Sequence, residues 1–145
     1  MSNAKQSVVT ASPALLRRGA ASAILCLTAA IHIVALPRHI RDAPLVGLLI
    51  GLAIPVCVSI ASWLWSTGED QAWLAAAGLM GAFILAFLIS RTTGLPGFDR
   101  SGTLAYWSEG LPALIAEFGL LGLASEHWAS MPPRLASRPS ISDTP

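Results

Sequence analysis

"LVGLLIGLAIPVCVSIASWLW", Leu45 to Trp65, runs for twenty-one residues without one charged side chain. A helix rises about 1.5 Å per residue, so about 20 apolar residues cross a bilayer core about 30 Å thick. A soluble protein could bury such a helix only under a polar coat. This chain lacks the residues for one. Of its 145 residues 54% are hydrophobic and 12% charged, against about 25% charged in a soluble domain. The mean hydropathy of +0.63 agrees. The stretch therefore reads as a membrane span, with Pro55 removing one of its backbone hydrogen bonds.

Working outward, Ser66 to Asp70 breaks the chain and a second apolar run follows from Gln71 to Ser90. On the other side, Arg17 and Arg18 precede a run from Gly19 to Leu36 that Pro37 is expected to end. The last run, from about Glu109 to Trp128, is the weakest, because Glu117 interrupts it. Segments that cross lipid individually must be helical to satisfy their own backbone. The expectation is an all-α fold, a four-helix up-down-up-down transmembrane bundle over residues 14–130. Residues 1–13 and 131–145 are polar or proline-containing and read as disordered tails. The first run reads as a retained span rather than a cleaved signal peptide. No A-x-A site follows it, and Cys26 lacks the small residue that should precede a lipidated cysteine.

Tryptophans collect at membrane boundaries. In this register Trp63, Trp65, Trp73 and Trp128 fall on one side, and Tyr106 and Trp107 precede the fourth helix on the other. With the N-terminus inside, Lys5, Arg17, Arg18, Arg134 and Arg138 are cytoplasmic and Arg38, Arg41, Arg91 and Arg100 are outside. Five against four favours cytoplasmic termini in a multi-pass protein of the cell membrane. Gly47 and Gly51 form a GxxxG pattern, and Ala77 and Gly81 repeat its spacing. Such faces serve close helix packing within the chain, a homo-oligomer, or a larger membrane complex. Cys26 and Cys57 read as small buried hydrophobes. A net charge of +1 leaves no basic surface for nucleic acid.

Ionisable residues within spans are costly and usually face the protein interior. His32 lies near the end of the first helix and Glu117 eight residues into the fourth, at depths of about 6 Å and about 12 Å from the same side. Arg91 leaves the third helix on that side, followed by the turn Gly94-Leu95-Pro96-Gly97. Its stem can lie in apolar surroundings while its head reaches Glu117 or Glu109. His39 also lies at this mouth. The candidate ligand or ion site is thus His32, His39, Arg91, Glu109 and Glu117. Four of the five have a plainer reading: an interfacial anchor for Arg91, a hydrogen-bonded interior histidine for His32, a loop residue for His39, and a buried pair or protonated carboxyl for Glu117.

His32 and Glu117 are possible metal ligands, but no HxxxH or CxxC spacing supports them. Proton or small-ligand handling is the other chemistry. A haem would need two axial ligands at one depth, and His127 lies at the opposite end. No complete catalytic constellation is present, and no cofactor is specified. The combination resembles a group of small uncharacterised bacterial four-span membrane proteins. The features shared with that group are His32, His39, the Arg-Thr-x-Gly-Leu-Pro exit at Arg91 to Pro96, and Glu117. The resemblance implies a shared polar site and no particular reaction. The competing class is a structural or accessory subunit of a larger membrane complex.

Overall fold

The structure, a computed structural model, describes residues 12–92 and 103–131. Most of the two expected tails and the Gly94 to Gly97 turn lie outside the described residues. Four helices carry the fold: α1 (Pro13–Asp42), α2 (Pro44–Thr67), α3 (Asp70–Thr92) and α4 (Thr103–Ala129).

α1 starts earlier and ends later than its apolar run. The Leu15 N–H donates to Ser12 Oγ at 3.2 Å, and Pro13 occupies the first turn, where no backbone donor is needed. Pro37 does not end the helix. A proline inside a helix removes one hydrogen bond, and here Arg41 Nε donates to the Pro37 carbonyl while Arg38 pairs with Asp42 at 3.5 Å. The break falls instead at Ala43, whose φ of −152° and ψ of 81° are those of a residue held out of the α region by the following Pro44. α4 likewise starts six residues before Glu109, so Tyr106 and Trp107 lie within it, and it continues through Pro112.

The packing is inverted relative to a water-soluble bundle. The core is built largely from small side chains, Ala21, Ala29, Ala61, Ala72, Ala76 and Ala124, filled in by Leu25, Leu64, Met80 and Leu120. The large apolar side chains point outward: Leu48, Leu49, Leu52, Val56, Leu85, Leu88, Ile115 and Phe118 are all exposed. In water so wide an apolar surface would drive aggregation; in lipid it is the solvated face. α1, α2 and α3 are long and apolar enough to cross a membrane. α4 is not among them; Pro112, Glu117, Glu126 and His127 lower its hydropathy.

Neighbour contacts fix the register. Gly19 lies against Trp65, Ser22 Oγ donates to the Ala61 carbonyl at 3.1 Å, Leu36 lies over Gly51, and Ile40 over Gly47. A Cβ on Gly47 would sit 2.7 Å from the Ile40 backbone, so this glycine is what lets α1 and α2 touch. The GxxxG pattern therefore serves packing within the chain. Gly81, by contrast, has nothing within 4 Å of where a Cβ would project. Gly119 faces Ile24, Trp73 meets His127, and Phe87 covers Gly110.

Two expectations about facing are corrected. Trp73 is not a boundary anchor: it is 1% exposed and stacks on His127, with ring centroids 4.6 Å apart. Cys26 is exposed, and Cys57 alone is buried. Lipid-facing positions accept a thiol as readily as a methyl group, so composition does not sort the two.

Candidate functional site

Between their charged ends the four helices hold few ionisable groups. Gln71 to Ser90 of α3 contains none, and Leu45 to Trp65 of α2 contains only Cys57. α1 contributes Cys26 and His32, and α4 contributes Glu117 before the Glu126–His127 end.

Glu117 is 3% exposed, and its Oε2 has no hydrogen-bond partner among the described residues. It faces inward because the opposite side of α4 carries Leu111, Ile115 and Phe118, all exposed. Ile24 against Gly119 sets the α1–α4 register. That register brings Glu117 level with Cys26 to Thr28. Thr28 is fully buried and its Oγ1 also lacks a partner. The Cys57 thiol of α2 is close enough to Glu117 to interact electrostatically. On α3, Trp73 opposite His127 and Phe87 opposite Gly110 place Met80 at this level. Thr28, Cys57, Met80 and Glu117 thus form one buried layer, and two of its oxygens are unpaired. Buried polar atoms without partners are rare and costly, about 1–3 kcal/mol each.

His32 lies one turn beyond Thr28 on the same face of α1. Its Nδ1–H donates to the Thr28 carbonyl at 2.8 Å, and its ring lies 5.0 Å from that of Phe83 at 30°. Because Pro37 does not end α1, His39 stays on the helix two turns further along. Its Nδ1 makes the same bond to the Ala35 carbonyl, at 2.9 Å. His39 is therefore not the loop residue that a break at Pro37 implies. The inner face of α1 carries a polar line from buried Thr28 to the partly exposed His32 and His39.

Arg91 occupies the last turn of α3 and Glu109 the second turn of α4. The α3–α4 register puts them at one end of the bundle. It also puts Arg91 eleven residues past Met80, about 16 Å along the axis from the level of Glu117. Among the described residues no group of three or more His, Cys, Asp or Glu side chains comes together to hold a metal ion.

A second polar cluster, at the other end, was not anticipated. Arg17 Nη1 donates to the Glu126 carbonyl at 3.1 Å and to Ser130 Oγ at 3.0 Å. Arg18 donates to the Leu64 and Trp65 carbonyls and lies over Gly68, whose φ of 66° turns α2 into the next segment. His127 Nε2 lies 3.2 Å from Asp70 Oδ1. The two arginines read in sequence as topogenic charges; here they also cap the last carbonyls of α4 and α2. The only sequence signal for this was their place opposite two helix ends in an antiparallel register. No family model matches the chain, and no curated protein or solved structure matches it either.

Proposed function

We propose that the chain is a small integral membrane protein of four spans in up-down-up-down order, and that its function runs through an interior polar site at Glu117 that takes up an ion or small ligand. One observation carries this reading: a 3% exposed carboxyl whose Oε2 has no partner, in a layer with an unpartnered Thr28 hydroxyl. A carboxyl that only stabilised the bundle would be paired, because an unpaired one is replaceable by an apolar side chain at a gain. The fourth span rests on the sidedness of α4, which buries Glu117 and exposes Leu111, Ile115 and Phe118. His32 and His39 supply the polar approach, and Arg91 and Glu109 belong to the mouth at the same end. The features shared with the small four-span bacterial proteins agree with this site. The termini are placed on the cytoplasmic side of the cell membrane by the small excess of Lys and Arg on that side.

A hydrophobic carbodiimide tests the site, because it modifies protonated carboxyls in apolar surroundings. Treatment of the membrane-embedded protein should label Glu117, as read by peptide mass mapping. Labelling confined to Glu69, Asp70 and the other helix-end carboxyls would overturn the reading. A metal as the natural occupant would show as stoichiometric metal in elemental analysis and as protection of Glu117.

A second reading, an accessory subunit of a homo-oligomer or larger membrane complex, draws on Gly78, Gly81 and Gly122, which have open space where a Cβ would project. Such positions let another helix approach closely. Native mass spectrometry after mild solubilisation separates the readings: a large partner that stays bound favours this one.

A further inference from the structure

We infer that the species taken up at Glu117 is a proton, and that His32 passes it between the mouth of the bundle and the buried layer. This rests on Glu117 being the functional site. A metal ion needs three or four ligands, and the described residues bring together no such group. A proton needs only one carboxyl and a chain of groups that accept and donate in turn. Those groups are present, in order, on one face of α1.

The geometry fixes the role of each atom. A carbonyl oxygen only accepts, so the 2.8 Å contact between His32 Nδ1 and the Thr28 carbonyl places the hydrogen on Nδ1. In the neutral ring Nε2 is then the basic nitrogen, and it is Nε2 that gains and loses the proton. His32 is partly exposed, whereas Thr28 and Glu117 are buried. The ring of Phe83, 5.0 Å from the imidazole and tilted by 30°, holds His32 against α3. Inward transfer begins with a proton from the aqueous boundary binding to Nε2 and forming the imidazolium. Nε2 then releases it inward, through the Thr28 hydroxyl and intervening water, to a Glu117 carboxylate oxygen. The imidazole is regenerated, and Nδ1–H stays on the Thr28 carbonyl throughout. The Thr28 hydroxyl can serve because its Oγ1 is not bound to any other described group. The titratable groups near Glu117 are few: Cys57 from α2 and His32 from α1, with none from Gln71 to Ser90 of α3, while Cys26 at the same level of α1 turns outward. Among the described residues no arginine or lysine lies at its level, so no fixed positive charge holds the carboxyl ionised.

The test uses the full chain in lipid nanodiscs and infrared spectroscopy. The wild type should show a protonated-carboxyl C=O band that shifts in heavy water and is lost in Glu117→Gln. His32→Ala should keep the band but slow its hydrogen–deuterium exchange about a hundredfold, the low end of what a positioned proton carrier contributes. Added imidazole should restore the rate. Far-UV circular dichroism and the Glu117 band itself report whether His32→Ala is folded. Should that variant be misfolded, Phe83→Leu, which removes only the aromatic face, must still slow exchange. A band that persists in Glu117→Gln means that Glu117 is ionised or paired, and the proposed function falls. A Glu117 band whose exchange is indifferent to both His32→Ala and Phe83→Leu leaves that function standing and overturns the transfer route.

Discussion

The two ends of the bundle are closed by different means. At the end where α1 begins, polar side chains find partners: Arg17 and Arg18 take the last carbonyls of α4 and α2, and His127 meets Asp70. At the end where α1 finishes, the α1–α2 seam is closed by steric contact, Gly47 on the Ile40 backbone. Between them lies the layer where Thr28 and Glu117 each carry an unpartnered oxygen. A charge near a helix terminus is surrounded by orphan carbonyls and is easily satisfied. A polar atom several turns deeper has no such supply, because the helical backbone there is already paired. The first kind of residue therefore reports on stability, and the second points to use. The Trp73 indole N–H is also buried without a partner, but its ring is held by stacking on His127.

Four substitutions sharpen this contrast, and all are read from thermal or denaturant unfolding of the reconstituted protein. The largest effect is expected at the seam. Gly47→Val forces a side chain into the Ile40 backbone and should cost about 3 kcal/mol, the upper end for overpacking. A cost near zero would mean that α1 and α2 are not held in contact there. Arg18→Ala comes next, at about 1.5 kcal/mol for two charged hydrogen bonds at a partly exposed helix end. Thr28→Val should have the opposite sign. It keeps the shape and removes an unsatisfied hydroxyl, so stability should rise by about 1 kcal/mol; a comparable loss would show that the hydroxyl is bonded. Asp70→Asn should be smallest, at most about 0.5 kcal/mol, since Asp70 is about half exposed. A cost above that of Arg18→Ala would make the His127 pair, not the arginine cap, the main closure of this end.

Much of the plan of the molecule is legible in local sequence. The runs around Leu45–Trp65 and Gln71–Ser90 locate α2 and α3 within one or two residues, because hydropathy and turn residues act locally. The ends of α1 and α4 are less legible. Pro37 looks like a stop, yet one lost hydrogen bond does not outweigh a helix continued on both sides, and α4 begins six residues before its apolar run. Of the candidate site, the unusual residues stand out because they are rare in such runs. Their partners do not, since His32 bonds to its own helix at Thr28 and stacks on Phe83, contacts that no spacing within a single run would suggest.

By itself the sequence determined that four apolar runs form helices, and that His32 and Glu117 lie where charge is costly; the structure shows three of the helices long and apolar enough to cross a bilayer. Only the tertiary structure decided which side of each helix looks inward. In a water-soluble helix a polar face marks the outside, and periodicity reveals the core. In these helices both faces are apolar, so nothing in the pattern says that Trp73 and Cys57 turn in while Cys26 and Phe118 turn out. That choice is made by shape: alanines and glycines allow α1, α2, α3 and α4 to approach, and the large aliphatic side chains are left to the surface.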